Sequence, residues 1–204
     1  MQRYDQTVAL ILVDLQNDFL PGGALAVADG DATVRFANGI MGQYHRVLAT
    51  QDWHPADHRS FSRAWPGRSP GEVVELEGLP QVLWPVHCVQ GSPGAQFAAD
   101  LDQSRIEAVF QKGQDPAIDS YSGFFDNGYR RDTGLAAWLR ERGVHEVHIL
   151  GLATDYCVKA TALDARKEGF AVTLLQEGCR GVELAPGNIA RALAEMHDAG
   201  VLLA

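Results

Sequence analysis

The sequence predicts an α/β fold with three layers, α/β/α, around a mostly parallel six-stranded sheet, in a single domain over residues 1–204. Three observations lead to this class. Short apolar runs alternate along the chain with segments of helical spacing. Glycine follows three of these segments where a left-handed helix cap would lie, at Gly143, Gly169 and Gly200. A chain of 204 residues also fits one domain better than two small ones.

Six apolar runs predict the strands of the sheet: Val8–Val13, Val47–Thr50, Ala108–Phe110, Val147–Leu150, Val172–Leu175 and Val201–Leu203. Four segments with helical spacing or capping signals predict the helices: Asp31–Tyr44, Thr133–Arg142, Asp155–Glu168 and Pro186–Ala199. The alternation of strand and helix is typical of a parallel sheet with helices on both faces. Residues 51–105 break this rhythm. They are rich in Pro, Gly, His and Trp, which predicts a functional loop region.

The charge and cysteine content of the chain limit which partners and which compartment we expect. A formal net charge of −9 argues against nucleic acid and anionic membranes, which favour basic patches. No apolar run is long enough to span a bilayer, and the first run reads as a strand rather than a signal peptide. The odd, low count of three cysteines, Cys88, Cys157 and Cys179, indicates reduced thiols and a cytoplasmic protein. One of these thiols is then available for chemistry.

Three reactive side chains follow predicted strands. Asp14 ends the first run, Lys112 follows Ala108–Phe110, and Cys157 comes after Val147–Leu150. Ligands of open parallel sheets bind beyond the carboxyl ends of the strands, so we expect these side chains to share one rim. Taken singly, each residue also has an ordinary structural role: Asp14 as a helix cap, Lys112 as a solvated cation and Cys157 as a small core residue.

Cys157 has local support as a nucleophile. Thr154 or Asp155 can cap the helix predicted there, which places Cys157 in the first turn, where the helix dipole favours a thiolate. A nearby Lys112 would lower the thiol pKa further. Asp14 can take the thiol proton, and backbone N–H groups at the helix start can hold an oxyanion. These parts suit acyl transfer at an amide carbon.

A second constellation lies in the irregular segment. Asp52 and His54, two residues apart in an extended strand, project to the same side, and His87 can supply a third ligand from another loop. One carboxylate and two imidazoles suit Zn²⁺, Fe²⁺ or Mn²⁺ and leave positions open. The alternative is that these histidines bond to loop backbone. His58 is either a fourth ligand or a neighbour of the set. The loop aromatics Phe19, Trp84 and Tyr121 either pack ordinarily or enclose a flat ring.

The motifs together resemble the bacterial nicotinamidases of the isochorismatase-like cysteine hydrolases. The matching segments are VDLQNDF with GG (13–23), QDWHP (51–55), WPVHCVQGSPGA (84–95), FQKG (110–113), DSYSGFFDN (119–127) and GLATDYCVKATALDA (151–165). The resemblance covers nearly the whole chain. The D-x-H…H part is its most specific component, because many relatives in the superfamily lack it.

The resemblance implies a catalytic triad of Asp14, Lys112 and Cys157 and a cis peptide between Leu152 and Ala153. The N–H groups of Ala153 and Cys157 would form the oxyanion hole. The implied reaction converts nicotinamide to nicotinate and ammonia through a cysteine thioester, in NAD salvage. Related substrates such as pyrazinamide are implied as well.

The resemblance also implies one divalent metal ion per chain, with zinc preferred over iron or manganese. Its ligands would be Asp52, His54 and His87. The implied ring pocket consists of Phe19, Leu25, Trp84 and Tyr121. The only ligand partner implied is the small substrate, and self-association into a homo-oligomer is left open.

Four alternatives compete with this interpretation. Another amidase of the superfamily could act on an acyclic amide or ureido substrate. A vinyl-ether hydrolase of the isochorismate kind needs no thiol, and Cys157 argues against it. A nucleotide-binding module is disfavoured because Asp14-Leu15-Gln16 follows the first strand without a G-x-G-x-x-G turn. In a metal-storage or structural protein, Cys157 would be an inert thiol.

Overall fold

A computed structural model describes residues 3–204 as a parallel sheet with helices packed against it. Its strands are β1 Val8–Val13, β2 Arg46–Asp52, β3 Val73–Leu76, β4 Leu79–Val82, β5 Ala108–Lys112, β6 Glu146–Leu152, β7 Ala171–Arg180 and β8 Leu202–Leu203. Its α-helices are α1 Gly30–Ile40, α2 Leu135–Glu141, α3 Lys159–Lys167 and α4 Asn188–Asp198. One turn of π-helix, Thr154–Val158, precedes α3.

The main sheet has the order β5-β2-β1-β6-β7-β8, and all its strands are parallel. Every residue of β1 is buried, so chain segments cover both faces of the sheet, as three layers require. Helix α1 packs on β6 and β7, while α3 contacts β7 and packs against α4. The predicted α/β class with a six-stranded sheet is confirmed.

The strand order also locates a crevice. The chain proceeds from β1 outward through β2 to β5, then returns to place β6 on the other side of β1. The connection after β1 runs to one side of this strand, and the connection that leads to β6 runs to the other side. Open α/β sheets bind ligands at such a change of direction, beyond the carboxyl ends of the strands. The loops after β1 and β6 border this crevice.

Several predicted boundaries differ from the structure. Strand β7 continues through the polar residues Gln176 and Glu177 to Arg180, with a register shift opposite β6. The segment predicted as irregular contains the antiparallel hairpin β3–β4. The predicted first helix ends at Ile40 and is followed by a short 3-10 turn, Met41–Gln43. The three predicted cap glycines all have the expected positive φ. Within residues 3–204, no helix is long and apolar enough to cross a membrane.

Candidate active site

The three reactive side chains predicted at strand ends meet in the crevice. Asp14 follows β1 directly, Lys112 is the last residue of β5, and Cys157 lies in the π-helical turn after β6. Lys112 Nζ is 2.9 Å from Asp14 Oδ2 and 3.4 Å from Cys157 Sγ. All three residues are buried. The structure therefore brings together a carboxylate, an ammonium and a thiol.

Lys112 is at the centre of this group. Its ammonium also contacts the Asp52 carboxylate and donates to the Ser120 carbonyl oxygen at 3.1 Å. Burial alone would lower the pKa of Lys112, but the charges of Asp14 and Asp52 outweigh it and raise the pKa well above its ordinary value. Lys112 is therefore a permanent cation that holds two carboxylates and the sulfur in one cluster.

Asp14 has an environment suited to accepting a proton. Burial raises the pKa of Asp14, while Lys112 and a hydrogen bond of 2.6 Å donated by the Thr50 hydroxyl act in the opposite direction. The second carboxylate oxygen pairs with Lys112 but receives no hydrogen bond of favourable direction. An oxygen of Asp14 and the sulfur of Cys157 lie within 4.8 Å of one another. The carboxylate is thus near the thiol and retains a free acceptor position.

The pKa of Cys157 differs from the sequence prediction. We expected the helix start and Lys112 to lower it. Burial instead raises the pKa of the Cys157 thiol well above normal; Lys112 lowers it, and the charges of Asp14 and Asp52 raise it again. This environment favours the neutral thiol over the thiolate, so a base must take the proton when the sulfur reacts.

The predicted cap of this helix is also wrong. Neither Thr154 nor Asp155 caps the turn that carries Cys157. The Asp155 carboxylate accepts the N–H groups of Val182 and Glu183, at 2.9 and 2.8 Å, and so fixes the loop after β7 beside the crevice. Helical periodicity does not reveal a single π-turn, because Thr154–Val158 is only five residues long and continues directly into α3.

The peptide bond between Leu152 and Ala153 is cis, as the resemblance implied. Ala153 follows β6 directly and lines the same cavity as Cys157. Both residues proposed for the oxyanion hole thus border the space in front of the sulfur.

The predicted metal ligands converge at the end of β2. Asp52 Oδ2 lies 3.5 Å from His54 Nε2 and 3.7 Å from His87 Nε2. The other ring nitrogens, Nδ1, bond to the carbonyl oxygens of Gly113, at 2.9 Å, and Pro85, at 2.8 Å. A carbonyl only accepts, so each Nδ1 carries the proton and each Nε2 presents a lone pair to the centre of the set.

This donor set fits a divalent metal ion. Burial opposes ionisation of Asp52, but Lys112 and His54 outweigh it and hold its pKa well below the usual range. The site therefore offers one anionic oxygen and two imidazole nitrogens, the ligand chemistry of zinc, iron and manganese centres.

His58 is not a member of this set. Its Nδ1 accepts the Ser60 N–H at 3.2 Å and bonds to the Ser60 hydroxyl at 2.7 Å. Its Nε2 is buried and has no hydrogen-bond partner among the described residues. Burial lowers the pKa of His58 and favours the neutral imidazole. The possible ligand group that includes His58 is formed with His54 and Asp119, so it shares only His54 with the predicted set.

A cavity joins the two constellations. Its walls include all four residues predicted for a ring pocket: Phe19, Leu25, Trp84 and Tyr121. Trp84 donates its indole N–H to the Tyr121 hydroxyl at 3.2 Å, and the Phe19 ring lies 5.6 Å from that of His87. The space is thus bordered by aromatic faces, with Cys157 and the metal-ligand set also in its wall.

Three further wall residues were not predicted: Asp119, Tyr156 and Val182. Tyr156 precedes Cys157 and packs its ring 4.8 Å from Trp84. Asp119 begins the DSYSGFFDN motif, which was a usable signal. Val182 lies in no recognisable sequence motif, and only the folded loop after β7 brings it near the crevice.

Comparison with known proteins identifies the family. The Isochorismatase domain matches residues 8–202 of the chain. The chain belongs to the isochorismatase domain family. A nicotinamidase of Escherichia coli K12 is a relative with 52% identity over 199 residues, covering 96% of this chain and 93% of the relative. The family resemblance predicted from the motifs is confirmed.

Solved structures of isochorismatase-domain proteins superpose closely. A nicotinamidase pyrazinamidase of Acinetobacter baumanii has a TM-score of 0.96 at 43% identity, covering 98% of this chain and 97% of that one. PnC1 from L. infantum in complex with nicotinate has a TM-score of 0.86 at 40% identity, covering 100% and 95%. A pyrazinamidase of Pyrococcus horikoshii in complex with zinc has a TM-score of 0.77 at 40% identity, covering 97% and 98%.

Proposed function

We propose that this protein is a nicotinamidase, an amidohydrolase that converts nicotinamide to nicotinate and ammonia. The observation that carries the proposal is the cavity itself, which has aromatic walls, the Cys157 thiol at one side and an Asp-His-His donor set at another. Behind the thiol lie the Asp14 carboxylate and the Lys112 ammonium. The E. coli relative and the structure with nicotinate support the same substrate. Pyrazinamide, which also carries a carboxamide on a flat nitrogen ring, is a second expected substrate.

The aromatic walls orient the substrate. Phe19 and Trp84 border a space suited to a flat ring, and Leu25 and Tyr121 complete the pocket. A metal held by Asp52, His54 and His87 would act as a Lewis acid that fixes the pyridine nitrogen. With the ring between these walls, the carboxamide carbon would face the Cys157 sulfur, which lines the same cavity.

The triad moves one proton through the reaction. Cys157 gives its thiol proton to Asp14 as the sulfur attacks the carboxamide carbon. Lys112 stabilises the Asp14 carboxylate before this transfer and the negative charge that develops on the sulfur during it. The N–H groups of Ala153 and Cys157 hold the oxyanion. Asp14 returns the proton to the leaving amine, which departs as ammonia and leaves a thioester. Asp14 then deprotonates a water molecule, whose attack yields nicotinate and restores the thiol.

We also propose which metal ion the site holds and where the reaction takes place. Zinc is the preferred metal, with iron and manganese as alternatives, and the zinc-bound pyrazinamidase supports this order. Nicotinate production fits NAD salvage in the cytoplasm, and the three free cysteines are consistent with a reducing compartment. The single-domain organisation over residues 1–204 remains a prediction, and self-association into a homo-oligomer is left open.

Ammonia release from nicotinamide tests the proposal directly. Cys157→Ala should lower kcat by on the order of 10⁴-fold or more, as loss of a covalent nucleophile does. Cys179→Ala is the matched control, since Cys179 is a buried thiol outside the substrate cavity. Near-wild-type turnover by Cys157→Ala would exclude the thioester mechanism.

A panel of substrates that includes acyclic amides and ureides tests the preference for an aromatic ring. A faster rate on those substrates than on nicotinamide would overturn the assignment to nicotinamide.

A further inference from the structure

The chain leaves the sheet just before the metal-ligand set begins. Strands β1 and β2 pair only as far as Leu12 and Ala49, because Asp14 turns the backbone away with a φ of 52°. The next three residues of β2 therefore have no β1 backbone beside them. Asp52, the first predicted ligand, is the last of these.

The Gln16 side chain occupies the place of the missing strand. Its Oε1 accepts the Asp52 N–H at 2.8 Å, and its Nε2 donates to the Asp52 carbonyl oxygen at 2.8 Å. Nε2 donates a further hydrogen bond of 2.9 Å to the Ala95 carbonyl oxygen. Gln16 is fully buried, and its amide pairs with both backbone groups of Asp52 as a neighbouring strand would.

Asp18 holds the other ligands in a comparable way. Its Oδ2 accepts the N–H of Cys88 at 2.7 Å, and Cys88 has a positive φ of 45° directly after His87. The carbonyl oxygen of Cys88 in turn accepts the His54 N–H at 3.0 Å. A single residue, Cys88, thus connects Asp18 to the backbone of both histidine ligands: it follows His87 directly and accepts the His54 N–H.

We propose that Gln16 and Asp18 are positioning residues of the metal site. They contact none of the ligand atoms, but they fix the backbone from which Asp52, His54 and His87 project. The same loop carries Asp14 and Phe19, so one segment sets the spacing between the triad, the ring pocket and the metal. This inference rests on the proposed metal site.

Zinc affinity of the metal-stripped protein, measured by titration against a competing chelator, tests Gln16. Gln16→Met should raise the zinc Kd by about 10- to 100-fold, the usual effect of losing a partner that orients metal ligands. Gln16→Asn is a gentler variant, which keeps an amide but is too short to pair with both groups of Asp52, and it should also weaken binding at least tenfold. Gln51→Met is the matched control. Gln51 is buried beside Asp52 and donates to the Ala95 carbonyl oxygen, but not to Asp52.

Asp18 is tested with an Ala and Asn pair. Asp18→Ala should weaken zinc binding by about 10- to 100-fold, whereas Asp18→Asn keeps an oxygen acceptor for Cys88 and should recover most of the affinity. Asn17→Ala is the control, because Asn17 donates to the Pro93 carbonyl oxygen at 2.8 Å and so links the same two loops away from the ligands. Visible absorption of the Co²⁺-loaded proteins should change in Gln16→Met and Asp18→Ala and not in the controls.

The outcomes separate the two proposals. If the wild type binds neither zinc nor cobalt at this site, the proposed metal site fails. If the wild type binds zinc and Gln16→Asn and Asp18→Ala bind it within twofold with unchanged cobalt spectra, the positioning role is wrong. Equal loss of affinity in the two controls would also overturn it, because loop packing alone would then explain the effect.

Discussion

At the scale of single residues, the site is organised by one buried cation among acidic neighbours. Lys112 faces Asp14, Asp52 and the Cys157 sulfur at once. The sequence placed these groups at strand ends, because apolar runs mark where buried strands stop. It did not predict the protonation of the thiol. The opposing effects of burial, one ammonium and two carboxylates depend on distances that no spacing in the sequence reports.

The ionisation of Asp14 should control the acidic side of the pH–activity profile. The Thr50 hydroxyl donates to Asp14 and lowers its pKa, against the raising effect of burial. Thr50→Val removes that donor at nearly constant volume, so the pKa of Asp14 should rise further. The acidic limb of kcat/KM should therefore move to higher pH, with activity at the plateau largely retained. An unchanged limb in a full pH profile would mean that Asp14 is not the titrating base.

Removal of the central cation should destabilise the fold in a pH-dependent way. Lys112→Met leaves two buried carboxylates without their partner, which costs about 3–5 kcal/mol. The pKa of Asp14, already raised by burial, should rise further above its unfolded value once Lys112 no longer lowers it. The folded state then binds a proton more tightly, so the loss is smallest at low pH and grows as pH rises through the folded pKa. Urea unfolding at several pH values measures this. Adding Asp14→Asn should recover stability at neutral pH; no recovery would contradict the charge explanation.

At the scale of elements, the sequence predicted the strands that are marked by buried apolar residues. It missed the strand segments that exist only because they pair with a neighbouring strand. Strand β1 reads as a strand because every residue is buried. The end of β7 does not, since Gln176 and Glu177 are polar, and only pairing of Cys179 and Arg180 with β6 extends the strand. The hairpin β3–β4 has four-residue strands with a proline in one of them, so periodicity could not identify it.

Two glycines offer a matched test of element packing. Gly151 in β6 has a φ of 132°, and a Cβ there would lie 2.2 Å from the Val13 carbonyl oxygen in β1. Gly151→Ala should therefore lower the free energy of unfolding by about 2–3 kcal/mol or more. Gly39 lies inside α1 with nothing within 4 Å of an added Cβ, and Gly39→Ala should raise stability by up to about 1 kcal/mol. Urea unfolding measures both, and equal effects would show that the close approach of β6 to β1 is not limiting.

At the scale of the whole molecule, the metal-ligand set connects separate parts of the chain. Asp52 and His54 belong to the end of β2, whereas His87 comes from the loop after β4. Hydrophobic patterning does not predict this connection, because the segment between the ligands has little regular structure. Residue spacing and motif likeness predicted these ligands, and only the folded chain accounts for their geometry, through backbone contacts from the loop after β1.

Binding of a metal ion across these segments should stabilise the folded state. A ligand present at 100 times its Kd that binds only the folded state adds about 2.7 kcal/mol. For a domain of this size, that corresponds to a rise in Tm of roughly 5–10 °C. Calorimetry of the chelator-stripped protein with and without added zinc measures the shift. His87→Ala should abolish it, while His197→Ala, which alters an exposed histidine in α4, should preserve it. Equal shifts in all three proteins would mean that zinc binds elsewhere, since loss of a ligand at the proposed site cannot leave site-specific stabilisation intact.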